Sequence, residues 1–324
     1  MKALRVSGLS PDLSGVILTE VEIPSPQAGE VLVGVLAASL NYPDLLMTQG
    51  KYQFKPDLPF TSGLELAGEI VEASPGSGFS VGDRVMGGAK TGAFAEFAAL
   101  PTTALRPIPK PLDFAQAAAM GAAFHTAYVA LVELGGLEAG QTVLVHGASG
   151  GVGLAACGLA RALGARVIAA THREEKLETL RTIARPQAAI LNTGRFREDI
   201  ARLTDGRLCD LVFDPVGGDV FDESTRCVTF GGKLLVVGFV ARRIPEIAVN
   251  IPLIKGFSVV GVRAGEYARR FPEHGKRVAD AIDRLASEGR ITPHIDRILP
   301  LEKWREGFEA MQHGDIVGKV VLVP

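Results

Sequence analysis

Residues 144–156 read LVHGASGGVGLAA: a short apolar strand, a turn made almost wholly of small residues, and then more apolar residues. Gly150, Gly151 and Gly153 crowd together where the strand ends. Glycine permits a tight turn there and lets backbone N–H groups approach a pyrophosphate, which is favoured at the positive N-terminus of the following helix. The pattern runs Ala148-x-Gly150-x-x-Gly153, with Ala148 where the first glycine of the usual dinucleotide fingerprint stands. A glycine-rich turn alone is a weak signal. This one follows a strand and opens the helical run VGLAACGLARALGA, which makes it a dinucleotide-binding candidate.

Downstream, apolar strands at TVLVH, RVIAAT, AAIL, LVFD, KLLVVG and FSVVGV alternate with helical segments around 152–163, 174–183, 197–203 and 219–227. That rhythm predicts a doubly wound parallel sheet in an α/β protein. A further helix is predicted over about 272–288, and the sequence closes on the strand GKVVLVP. Residues 1–110 instead look β-rich, with EVLVGVLAAS and ELAGEIVEA as strands and frequent Pro and Gly between them.

A length of 324 residues suits two domains, each with its own core. With 47% apolar and 22% charged residues the composition is that of a soluble globular protein, and a net charge of −2 offers no surface for nucleic acid. The segment MKALRVSGL lacks the apolar core of a signal peptide. The uncharged run 114–132 is Ala-rich and contains Gln116, His125, Thr126 and Tyr128, so it predicts a buried helix and no membrane partner. Cys157, Cys209 and Cys227 are scattered, without a CxxC pair or a nearby His, and predict reduced core thiols in a cytoplasmic protein with no metal site.

The end of the second strand selects the coenzyme. NAD binders usually place Asp or Glu there to accept from the ribose 2′-OH. This sequence reads ATHREEK, with His172 at the expected place and Arg173 and Lys176 close behind, which favours the 2′-phosphate of NADPH. The competing reading is a solvated first helical turn, with Glu174 and Glu175 close by.

Taken together, GEVLVGVLAASLNYPDLLMTQGKY, PFTSGLELAG, GDRV, GASGGVGLAA, FDPVGGDVF, GGKLLVVGF and GKVVL resemble the zinc-free, zeta-crystallin-like NADPH:quinone oxidoreductases of the medium-chain dehydrogenase/reductase superfamily, in particular the quinone oxidoreductase-like branch. The resemblance implies a GroES-like β-rich catalytic domain made from both chain ends, 1–122 and 263–324, with a Rossmann domain over 123–262. Zinc-dependent relatives carry a Cys in the region of Asn41 and a His at the position of Leu64; neither residue here ligates zinc, so a metal-free site is expected. Without a Lewis acid, a quinone or an activated alkene suits the site better than an alcohol.

The resemblance also implies roles. By similarity to related 2-enoyl thioester reductases, Tyr52 would be the candidate proton donor to an enolate, the alternative being an aromatic that closes the cleft, and Asn41 would be a polar group beside the nicotinamide. The cofactor would be held by Thr126, by Ala148, Ser149, Gly150, Gly151, Val152 and Gly153, and by His172, Arg173 and Lys176. Further contacts fall to Asn192, Thr193, Gly217, Gly218, Gly238, Phe239, Val262, Arg263, Ala264 and Lys319. The strand FSVVGVRAG is expected to pair with its copy in a homodimer. Three functions stay open: a quinone reductase, a reductase of enones or enoyl thioesters, and a non-catalytic NADPH-binding protein. The pairs Arg242–Arg243 and Arg269–Arg270 read as solvated surface charge, with a thioester's phosphates as the alternative partner.

Overall fold

The computed structural model describes all residues, Met1–Pro324. The chain divides into a terminal unit, Met1–Ala122 with Pro293–Pro324, and a middle unit, Ala123–Thr292.

In the first segment, β1 (Lys2–Val6), β2 (Val16–Glu20), β3 (Glu30–Ser39) and the short helix α1 (Tyr42–Thr48) are followed by β4 (Phe60–Thr61), β5 (Glu65–Ala73), β6 (Arg84–Gly88), β7 (Phe97–Pro101) and β8 (Leu105–Pro107). Helix α2 (Phe114–Tyr128) then carries the chain onward and ends in a π-helical turn, Val129–Leu134. The stretch Phe114–Leu134 is long and apolar enough to cross a membrane by length and composition. Here Ala117, Ala118, Ala119, Met120, Ala123, Phe124 and Ala127 are buried in the fold.

The middle unit holds the predicted alternation: β9 (Thr142–Val145), α3 (Gly151–Ala162), β10 (Arg166–Thr171), α4 (Leu177–Ala184), β11 (Ala188–Leu191), α5 (Arg197–Leu203), β12 (Cys209–Asp214), α6 (Gly218–Ser224) and β13 (Val228–Val236). After these come α7 (Asn250–Lys255), β14 (Ser258–Gly261), α8 (Ala264–Arg270) and α9 (Pro272–Ser287). The sheet order is β11-β10-β9-β12-β13-β14, every pair parallel. This is the dinucleotide-binding order, with its reversal between β9 and β12 at the sheet centre. All four residues of β9 are buried, as a parallel strand covered on both faces requires.

The second boundary differs from expectation. Residues 263–292, assigned from the sequence to the catalytic domain, belong to the middle unit. Helix α9 buries Val278, Ile282, Leu285 and Ala286 along one stripe, Tyr267 donates to Glu133, and Arg290 donates to the carbonyl of Ala162. A helical stripe of that kind has to be covered, and these contacts tie the segment to the Rossmann sheet's own helices.

The chain returns to the terminal unit through β15 (Ile295–Pro300), α10 (Trp304–His313) and β16 (Lys319–Val323). Strand β16 adds to β3, with Val321 opposite Ser39, in the sheet β15-β16-β3-β5-β6-β8; β7 also pairs with β3. Both chain ends therefore build one apolar core, in which Leu4, Phe94, Leu66, Trp304, Phe308 and Leu322 meet.

Candidate active site

Six segments expected to hold a cofactor lie at the C-terminal ends of the six parallel strands: residues 148–153 after β9, 172–176 after β10, 192–193 after β11, 217–218 after β12, 238–239 after β13 and 262–264 after β14. That edge, at a topological switch point, is where open α/β sheets bind ligands. Thr126 lies half-buried on α2 beside His125, whose Nε2 is 3.3 Å from the carbonyl of Ala264.

The turn adds one glycine to the pattern Ala148-x-Gly150-x-x-Gly153, the residue just before it. Gly147, at φ +56°, takes the left-handed conformation that ends β9. Ala148 is fully buried, and its N–H donates to Ala170 O at 3.1 Å, so it shapes the turn and has no donor left for a phosphate. A Cβ on Gly153 would stand 2.2 Å from Gly147 O, which only glycine avoids. In contrast, a Cβ on Gly150 would meet only Gly147 O, at 3.4 Å. The N–H groups of Gly151, Val152 and Gly153 form the first turn of α3 and lack carbonyls one turn back. This cradle of unpaired donors fits a pyrophosphate.

After β10, Arg173 is bridged to Glu175 at 3.3 Å. Lys176 is buried. Burial, with the positive charges of Arg173 and Lys176, lowers the pKa of His172, so the imidazole is held neutral in a cationic neighbourhood. Thr193 is exposed, whereas Asn192 is buried and bonds to His146 Nδ1 at 3.1 Å. His146 Nε2 in turn meets Ser224 Oγ at 2.8 Å, and burial pushes the imidazole's pKa down to about 3. Ser224 Oγ donates to Val220 O, so His146 carries its proton on Nε2 and accepts from Asn192. Asn192 therefore works from inside the sheet as a brace for its strand end. Gly217 and Gly218, at φ +71° and +57°, turn over Asp214, whose Oδ1 accepts from Val216 and Gly217. Phe239 is exposed, Gly238 and Val262 are half-buried, and Arg263 caps α8 ahead of the buried Ala264. Of the arginine pairs, Arg243 bonds Asp219 and Asp222, while Arg269 and Arg270 both bond Glu266.

In the terminal unit the chemistry is concentrated in a buried cluster. Lys319 Nζ donates to Leu40 O at 2.8 Å, Asn41 Oδ1 at 2.7 Å and Glu65 Oε1 at 3.0 Å. Those three bonds use all three ammonium hydrogens, so Lys319, expected beside the cofactor, has no donor to give it. Asn41 Nδ2 donates to Ser39 O and Glu65 Oε1, so both amide hydrogens are also taken. Glu65 Oε2 accepts from Ala122 N–H at 2.7 Å, and a Cβ on Gly121 would come within 2.9 Å of the same oxygen. Asp44 Oδ2 accepts from Asn41 N–H and closes the first turn of α1. From sequence, Asp44 reads as a structural residue and Glu65 as a carboxylate unable to hold zinc alone; their joining in one cluster shows only when β5 and α1 are brought together. Tyr52 is half-buried, its ring packed against the terminal core. No three His, Cys, Asp or Glu side chains are grouped to hold a metal ion.

Asp44 is fully buried, and that burial raises its pKa to about 8, against the opposing pull of the Asn41 N–H and the Lys319 charge. The folded state thus keeps a proton that the unfolded chain releases at about pH 3.9. Above that value folding binds more protons than unfolding, so stability is lost as pH rises through 8. Asp44→Asn, which keeps the acceptor for Asn41 N–H, is expected to flatten the fall in melting temperature between pH 6 and about 9. Equal slopes in variant and parent would contradict the assignment.

The description "Alcohol dehydrogenase GroES-like domain" matches residues 27–110, and "Zinc-binding dehydrogenase" matches residues 151–283. A quinone oxidoreductase-like protein 2 homolog of Nematostella vectensis is 37% identical over 90% of this chain and 81% of its own. The chain belongs to the quinone oxidoreductase family. The human member named quinone oxidoreductase is 31% identical to this one over 100% of this chain and 98% of its own. Among solved structures, a probable oxidoreductase from Mycobacterium abscessus superposes with a TM-score of 0.91 at 35% identity, covering 100% of this chain and 99% of its own. A mycobacterial structure described as complexed with NADPH also scores 0.91, at 27% identity and full coverage of both chains.

Proposed function

We propose that this family member is a zinc-independent oxidoreductase that uses NADPH to reduce a quinone. The carrying observation is the turn 147–153, where Gly147 and Gly153 approach closely and α3 begins at Gly151, the position at which a helix's first N–H groups have no partner in the preceding turn. When bound, the dinucleotide supplies a hydride. Gly151, Val152 and Gly153 would hold its pyrophosphate, and Arg173 and Lys176 would flank its 2′-phosphate. The cationic surroundings of His172 support that coenzyme choice.

Zinc independence rests on the donor set. Leu64 offers no ligand atom, while both oxygens of Glu65 are engaged, one with Lys319 and one with Ala122 N–H. A quinone takes hydride without a metal, and water can protonate the hydroquinone anion. A second reading has Tyr52 donating a proton to the enolate of an enone or enoyl thioester; its half-buried ring on the segment after α1 supports it. Arg243 with Asp219 and Asp222, and Arg269 and Arg270 with Glu266, form surface ion pairs, which supports reading them as solvated surface charge.

The deciding assay follows loss of nicotinamide absorbance against a panel of quinones, enones and enoyl thioesters, with NADPH and NADH in parallel. Arg173→Ala is expected to raise the KM for NADPH about tenfold, the loss of one charge-assisted hydrogen bond, while leaving that for NADH unchanged. Equal KM values for the two coenzymes in the parent protein would overturn the NADPH assignment.

We further propose a homodimer. Strand β14 has β13 as its one neighbour, and the same unit exposes Val249 (84%), Leu253 (80%) and Phe230 (84%). A bare strand edge beside apolar side chains is an association surface. Sedimentation equilibrium is expected to give twice the chain mass, and Val259→Lys the monomer; a monomeric parent would refute the pairing.

A further inference from the structure

We infer that Lys319 is a positioning residue, a tethered cation that fixes Asn41 and helix α1 and through them the segment bearing Tyr52. This rests on the reading in which Tyr52 donates a proton. Lys319 is only 5% exposed, and its ammonium spends its hydrogens on Leu40 O, Asn41 Oδ1 and Glu65 Oε1. It stands where strands β3 and β16 meet α1, and Glu65 carries the link from β5 to Ala122. Asn41 is the N-cap of α1, so the same bonds set where that helix begins. At its other end α1 closes through Gly50 N–H to Met47 O and Lys51 N–H to Leu46 O, and Tyr52 follows at once. A short helix clamped at both ends moves as a unit, so a displacement at Asn41 is carried to Tyr52.

A point charge with three donors fits three converging oxygens; the planar fork of arginine does not. Removing the ammonium would leave the Glu65 carboxylate buried without its counter-charge, close to Asp44, and Asn41 free to turn. The cost falls on geometry at the proton donor. It does not fall on the dinucleotide cradle, which belongs to the middle unit.

The test is Lys319→Met in the full chain, measured for NADPH binding by fluorescence titration and for turnover of an enone. NADPH affinity is expected to change by less than about twofold while kcat falls about a hundredfold, the effect of a misplacement near one ångström. Lys319→Arg is expected to fail in the same way, and combining Lys319→Met with Tyr52→Phe to cost no more than either alone, because the two act on one step. A parallel loss of NADPH affinity would make Lys319 a cofactor contact and overturn the inference. So would an unchanged kcat, or losses that multiply.

If the parent reduces no enone, or Tyr52→Phe leaves reduction intact, the proton-donor reading falls by itself. The clamp is then judged by exchange of the Asn41 side-chain amide protons: slow in the parent and fast in Lys319→Met supports it, and equal rates overturn it. Should Lys319→Met not fold, the isosteric Glu65→Gln replaces it, with the same split between kept NADPH affinity and lost kcat expected.

Discussion

Gly153→Ala is expected to remove NADPH binding and to lower the melting temperature together. The added methyl would lie 2.2 Å from Gly147 O and 2.8 Å from Ala148 Cα, both backbone atoms that no rotamer change can move aside. Relief requires shifting the β9–α3 turn, at a cost of about 1–3 kcal/mol. For a unit of this size that is roughly 2–10 °C in melting temperature. Gly150→Ala is the informative contrast. Its methyl meets only one protein atom, at 3.4 Å, and its φ of −80° suits any residue. That variant is expected to keep its melting temperature and lose affinity, because the methyl enters the space that the pyrophosphate needs. Calorimetry and fluorescence titration on the two variants separate the effects. Undiminished NADPH binding by Gly153→Ala would show that the coenzyme does not lie on this turn.

Tyr52→Phe is expected to lower enone reduction by about a hundredfold or more, the usual worth of a positioned general acid, with quinone reduction little changed. The selectivity follows from where the proton must go. An enolate needs it delivered to carbon within the lifetime of the intermediate, whereas a hydroquinone anion takes it from solvent at oxygen. Phe keeps the ring that packs on the terminal core, so folding is expected to survive. A stopped-flow comparison of the two acceptor classes reads the result directly. Equal losses for both would make Tyr52 a wall of the site, and no loss for enones would remove the alkene-reductase reading.

The sequence exposed the middle sheet clearly because its signals are local and periodic. Short apolar strands alternate with helical runs, and the glycine turn marks the first crossover. The short helices α7 and α8 escaped notice because a run of six or seven residues carries too few turns to show a period. The fingerprint spacing also leaves out Gly147. The left-handed conformation that ends β9 belongs to Gly147, which lies outside that spacing, and φ is not written in spacing.

The buried cluster was the least visible part. Asp44, Glu65 and Lys319 are far apart in the chain, and each alone looks like a charge meant for water. What converts them into a single constellation is the pairing of β16 with β3, a non-local event that no short window contains. Asn41 was singled out through a family resemblance, yet its hydrogen bonds make it part of the frame. His146 sits inside the opening motif, and only the geometry gives it a task, bracing Asn192 against Ser224.

The joining of β16 to β3 has a consequence for biosynthesis. As the chain leaves the ribosome, Glu65 emerges long before the ammonium that will pair with it. The Glu65 carboxylate stays without that partner while the whole middle unit is synthesised and free to fold. The Glu65 carboxylate gains its counter-charge only when residue 319 arrives, so burial of that pair follows synthesis of the whole middle unit.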